Sequence, residues 1–133
     1  MSANLDLVRS IYADWERGDY TSADWADPEI ELIIPDGPSS GSWTGVARMR
    51  EVWREWLRAW NEYRSQASEY RQLDEERVLV LIHGVGRGKT SGAEVAMRGA
   101  NLFHVRDGKV TRLVLYPDRD YALADLGLEP EAD

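Results

Sequence analysis

Apolar residues along this chain change period several times, and each change marks an element. Over residues 2–17, Leu5, Val8, Ile11, Tyr12 and Trp15 recur at helical spacing, and Gly18 supplies a stop. "GDYTSADWADPE" reads as a short helix or turn that ends before Pro28, and "EIELII", residues 29–34, as a strand. The density of Pro, Gly and Ser in "PDGPSSGSWTG" predicts a loop. Val46, Met49, Trp53, Trp56, Trp60 and Tyr63 then restore steps of three and four and predict a long helix to about residue 64; Arg48, Arg50, Glu51, Glu55, Arg58 and Glu62 form its charged face. Beyond it the pattern predicts a strand at "SQASEYRQL", a turn at "DEER", a strand at "VLVLIHGVG", a loop at "RGKTSG" and a long strand at "AEVAMRGANLFHV". The turn "RDGK", whose Asp107-Gly108 pair suits positive φ, leads into a last strand, "VTRLVLYP". "DRDYALADLGL" predicts a short closing helix and "EPEAD" a frayed acidic tail.

Helix, short helix, strand, long helix and a four-stranded meander make an α+β fold with helices on one face of a curved, antiparallel or mixed sheet. The strands raise a further point, because Val78, Val80 and Ile82 alternate with Leu79, Leu81 and His83, so both faces are largely apolar. Leu113 and Leu115 alternate in the same way with Val114 and Tyr116. Helices cover one face; a sister subunit is expected on the other, giving a homodimer through the sheet.

Length and charge narrow the function. A chain of 133 residues suits one domain, read here as residues 1–128 with a tail over 129–133. The formal net charge of −8 repels phosphate backbones and anionic headgroups, so neither nucleic acid nor a membrane is an expected partner. Without cysteine there is no disulfide framework and no thiol nucleophile. No signal-peptide pattern or spanning run is present, which fits a cytoplasmic protein. Six Trp and six Tyr against one Phe supply large rings with polar tips, suited to a cavity wall, an interface or a core.

The segments "LVRSIYADWERGDY", "TGVARMREVWREWLRAW", "GRGKTSGAEV" and "FHVRDGKVTRLVLYPDRDYALADLGL" resemble the nuclear transport factor 2-like superfamily, which includes SnoaL-like polyketide cyclases, ketosteroid isomerases and limonene epoxide hydrolases. The resemblance spans nearly the whole chain. It implies a cone: the sheet wraps the long helix, N-terminal helices cap it, and a pocket opens at the wide end. Val78, Val80, Ile82, Met97, Gly99, Asn101, Phe103, Leu113 and Leu115 would face that pocket, closed by Ile11 and Trp15 and by some of Trp53, Trp56, Leu57 and Trp60. Such a pocket suits a compact hydrophobic molecule such as a carbonyl compound, with no cofactor expected.

Ketosteroid isomerases combine an Asp base with an oxyanion hole made from a Tyr and a protonated Asp. By resemblance Asn101 takes the place of the protonated Asp; it either donates to a developing oxyanion or ties down a neighbouring group. Asp36 in "IIPDGP" falls near the place of the base after a one-residue shift, although Asp-Gly between prolines is also a turn former. By the same resemblance the isomerase Tyr corresponds to Ile11, with Tyr12 one step around the helix, where it would either reach the pocket rim or pack in the core with a wet hydroxyl. The carboxylates of limonene epoxide hydrolase correspond to Asn101 and Leu115, which argues against that chemistry. His83, His104 and Arg98 alternate away from the pocket row, so no metal site is expected, and "GRGKTSG" lacks the spacing of a phosphate loop. The candidate site is therefore Asp36 and Asn101 for catalysis, with Tyr12, Trp15, Trp53, Trp56, Trp60, Met97, Phe103 and Leu115 against the ligand. The alternatives are a pocket that binds without turnover and a dimerisation module whose cone is filled by its own indoles.

Overall fold

In a computed structural model of the chain, residues 3–17, 19, 24–35, 40–58, 60–88 and 92–129 are described. Along them run α1 (Ala3–Glu16), β1 (Ala26–Ile34), β2 (Gly41–Thr44), α2 (Val46–Arg58), β3 (Trp60–Gln72), β4 (Arg77–Gly88), β5 (Glu94–Arg106), β6 (Lys109–Tyr116) and α3 (Arg119–Asp125). The strands form one sheet in the order β2-β1-β6-β5-β4-β3. β1 lies parallel to β6 and the other pairs are antiparallel, so the sheet is mixed within an α+β fold. Asp107 and Gly108 turn the β5–β6 hairpin at φ 52° and 75°. No described helix is long and apolar enough to cross a membrane.

Strand alternation divides the core in two. Val78 and Val80 on β4, Phe103 on β5, Leu113 on β6 and Leu32 on β1 point inward, where Val8, Ile11, Tyr12 and Trp15 of α1 and Met49 of α2 pack on them. Leu79, Leu81, Ala100, Leu102, Val114 and Tyr116 point outward. The outward row is the one expected to need a second subunit, yet the chain covers it itself. Ala122 and Leu123 of α3 seal it, with Leu126 and Leu128 packed alongside, and Leu79 and Leu81 are fully buried. Hiding one leucine side chain is worth about 1.5–3 kcal/mol, so α3 relieves the constraint from which the homodimer was argued.

A helix of seven residues does not hold its shape alone, and several contacts fasten α3. Asp118 caps its first turn, and Tyr116 Oη donates to Asp125 Oδ2 at 2.8 Å. Buried Arg119 donates from Nη2 to the Ile82 carbonyl at 2.8 Å. At Gly99 a Cβ would stand 2.6 Å from the Tyr116 carbonyl oxygen, so only glycine lets the chain leaving β6 pass this close.

Other expectations need correction. α2 stops at Arg58, and Trp60 and Tyr63 belong to β3, which pairs with β4 as far as Gly88. The helical spacing of the Trp stripe is overruled there by hydrogen bonding along a thirteen-residue strand. Gly41–Thr44, read as loop, forms an edge strand because its backbone pairs with β1 and sets Trp43 beside Leu32. β1 starts at Ala26, ahead of Pro28, and its pairing to β6 shifts register between Ala26 and Glu31, an irregularity that accommodates the proline. Much of "GDYTSADWADPE", part of each Gly-rich loop and most of the acidic tail lie outside the described residues.

Replacing Leu123 by Ala should lower the unfolding free energy by about 2–4 kcal/mol in urea denaturation; an unchanged midpoint would mean that α3 does not seal the outer face.

Candidate functional site

β5 sets Phe103, Asn101, Gly99 and Met97 in one inward row, and the register places Val80 and Leu115 on either side of Asn101. Asn101 is 7% exposed, and its Nδ2 donates to Tyr12 Oη at 2.5 Å. Tyr12 itself has no exposed surface. Its ring meets Trp15 edge-on at 4.9 Å, Phe103 at 5.9 Å and Tyr70 at 6.0 Å. A phenol sealed in an apolar core needs a hydrogen-bond partner, and Asn101 is that partner, across 89 residues of sequence. The hydroxyl expected to be wet at the rim is therefore dry. Desolvation pushes the Tyr12 pKa well above the ordinary tyrosine value, and the bond from Asn101 only partly opposes it.

Of the two roles its sequence position allows, the amide takes the second here: from the inner surface of the sheet it ties α1 down through Tyr12. Around it the aromatics close the α1 side. Trp15 packs on Trp53 of α2 at 5.1 Å, on Trp25 at 6.0 Å and on Phe103 at 6.3 Å. Farther along the strands Ile82, Met97, Leu115 and Ala67 are only half-buried. Trp53 is half-buried above them, and Trp56 is 38% exposed. Only the backbone of Trp60 is described, at the start of β3, and Asp36 lies outside the described residues.

Sequence reading missed three inward groups. Tyr63, Ser65 and Tyr70 come from β3 and stand opposite Gly86, Gly84 and Val80. Trp56 packs edge-on against Tyr63 at 5.6 Å and 88°, and Arg9 lies 5.3 Å from the Tyr70 ring centre. Burial raises both phenols above their ordinary value. The alternation of Tyr63, Ser65 and Ala67, answered on β4 by Gly86, Gly84 and Ile82, was the available signal. None of the inward residues named here is a carboxylate or imidazole. They can orient an oxygen-bearing molecule by hydrogen bonds, but they hold no base that would take a proton near neutral pH.

A separate cleft of about 580 Å³ opens on the other side of the sheet, at the Arg77–His104 register pair, lined also by Asp74, Glu75, Glu76, Arg106 and Thr111. Its cations are already engaged: Arg77 Nε lies 2.7 Å from Asp74 Oδ2, and Arg106 Nε 3.1 Å from Glu76 Oε2. Burial, reinforced by Arg112 and Arg77, pushes the His104 pKa down. This cleft shares no residue with the Asn101 row.

A SnoaL-like domain model matches residues 8–113. Among solved structures, TerC co-crystallised with polyporic acid is similar with a TM-score of 0.76 at 22% identity, over 94% of this chain and 98% of that one. A nuclear transport factor 2-like protein of unknown function from Burkholderia pseudomallei K96243 gives 0.79 at 20% identity, over 93% and 97%. A candidate SnoaL-like polyketide cyclase from Jannaschia sp. CCS1 gives 0.75 at 15%, over 96% and 94%. At these identities the likeness is one of fold. No curated protein matches the sequence.

Asn101→Leu strands the Tyr12 hydroxyl and should cost about 1–3 kcal/mol; adding Tyr12→Phe should recover part of that loss, a coupling read from a double-mutant cycle. Because the folded pKa of Tyr12 is raised, its contribution is complete below about pH 10, where free tyrosine begins to ionise, and is lost as pH climbs further. Stability measured across alkaline pH should accordingly fall less steeply in Tyr12→Phe than in the wild type.

Proposed function

Because this chain belongs to the SnoaL-like domain family, we propose that it binds a compact hydrophobic molecule carrying a carbonyl or similar oxygen in the hollow of its cone. The observation that carries this reading is the Asn101 amide, nearly buried and pinned by Tyr12, in one row with the half-buried Met97 and beside Leu115. Pinning removes the rotational freedom that an amide otherwise loses on binding, so its remaining hydrogen-bonding capacity is preorganised for a ligand oxygen. Ile82, Met97, Leu115 and Trp53 supply the apolar walls. Trp15 and Phe103 act one layer deeper, as the packing that closes the narrow end. Every one of these groups comes from a single chain. The crystallisation of TerC with polyporic acid supports a small-molecule role for this fold.

Catalysis is a second reading, favoured by the phenol and amide brought together at Tyr12 and Asn101, a pairing of the oxyanion-hole kind. In that reading Asn101 donates to the developing oxyanion of a ketone, Asp36 removes the α-proton, and the reaction is isomerisation or cyclisation without a cofactor.

Nile red should bind the wild type with enhanced emission, and Met97→Trp, which fills the hollow at an overpacking cost of about 1–3 kcal/mol, should abolish the signal while the protein stays folded. Equal dye binding by both would place the ligand elsewhere. For the catalytic reading, the wild type should accelerate deuterium uptake at the α-carbon of 2-tetralone. Asp36→Asn should lose the acceleration while binding the ketone as before; no acceleration by the wild type would leave binding alone.

A further inference from the structure

Polar groups at two levels of the inward face bracket an apolar stretch of it. At one stands Asn101. At the other stands Tyr63 with Ser65, which β3 sets opposite Gly86 and Gly84. A Cβ on Gly84 would lie 3.1 Å from Tyr63 Oη and 3.5 Å from two of its ring carbons, so the phenol rests on bare backbone. Its Cα pairs with Gly86 while its hydroxyl reaches Gly84. The side chain therefore leans along the sheet, toward Ile82 and the Asn101 row. Burial raises the Tyr63 pKa, and Ser65 and Trp56 beside the hydroxyl only partly oppose it, so the phenol stays protonated near neutral pH and is an O–H donor of the kind that an oxygen arriving over Ile82 could meet.

The spacing of the two groups sets the size of what fits between them. Val80, the register partner of Asn101, and Gly84, beneath the hydroxyl, are four residues apart on β4, about 13 Å at the usual strand rise. Allowing one hydrogen bond of about 3 Å at each end leaves the length of two fused six-membered rings. Between the ends lie Ile82 and Ala67, apolar and half-buried, with Gly99 beside them, and the half-buried Met97 stands opposite Gly84 at the Tyr63 end. We infer that the hollow is a two-ended site for a flat bicyclic molecule, apolar in the middle, with one oxygen taken by Asn101 and the other by the Tyr63–Ser65 pair. This rests on the ligand-binding reading above and adds the ligand's shape and its second anchor.

Naphthalene-2,6-diol and 2-naphthol test it, with binding followed by tryptophan quenching. The wild type should bind the diol about tenfold more tightly than the mono-ol, the worth of one further hydrogen bond. Tyr63→Phe should erase that preference and leave 2-naphthol within about twofold of its wild-type affinity. Ser65→Ala should reduce the preference in the same direction, and it carries the comparison if the phenylalanine variant does not fold. Equal affinity of the wild type for both compounds, or a preference that survives Tyr63→Phe, would overturn the second anchor alone. Binding of neither compound by the wild type would overturn the hollow as a ligand site altogether.

Discussion

A phenol with no exposed surface must be hydrogen-bonded, and the arrangement of this cone follows from how Tyr12 meets that demand. Its partner, Asn101, comes from the middle of β5, so a single bond fixes the rotation of α1 and its seating on the sheet. With α1 seated, Trp15 is directed onto Trp53 and Phe103, and the narrow end closes with rings. The half-buried residues Ile82, Met97 and Leu115 line the part of the inner face that the α1 aromatics do not reach.

The outer face obeys a different rule. A meander whose strands are apolar on both sides cannot leave one side to water, and here the closing helix does the covering. Asp118, Asp125 and Arg119 hold α3 in place by a cap and two hydrogen bonds, and Gly99 lets the connecting chain lie against β5. Since Arg119 donates to the carbonyl of Ile82 while the Ile82 side chain faces inward, α3 and the inner face meet on the same strand.

Much of the architecture was legible along the chain. The four-strand meander, α1, the hairpin at Asp107-Gly108 and the closing helix follow from short-range pattern, because alternation, helical spacing and turn residues announce each of them locally. The inward row of Met97, Asn101 and Phe103 was legible from alternation once β5 was recognised. The β2 edge strand was not, since Gly41 and Ser42 have no propensity to announce it and only the exposed edge of β1 creates it. Nor was the end of α2: Trp53, Trp56, Trp60 and Tyr63 keep helical spacing across a boundary that pairing with β4 imposes. That error hid Tyr63, since a residue assigned to a helix face cannot be seen to look across a sheet at glycine. The dryness of Tyr12 was out of reach as well, because burial of a hydroxyl depends on how deeply a helix settles, a tertiary quantity.

The claim on which everything else stands is that the Asn101 carboxamide is locked to a dry Tyr12 hydroxyl, and side-chain amide exchange measured by NMR addresses it most directly. The account predicts that the Asn101 Nδ2 proton bonded to Tyr12 shows contacts to the Tyr12 ring and exchanges with solvent far more slowly than that of a freely solvated amide. Exchange at the solvent rate, with no contact to the ring, would contradict it.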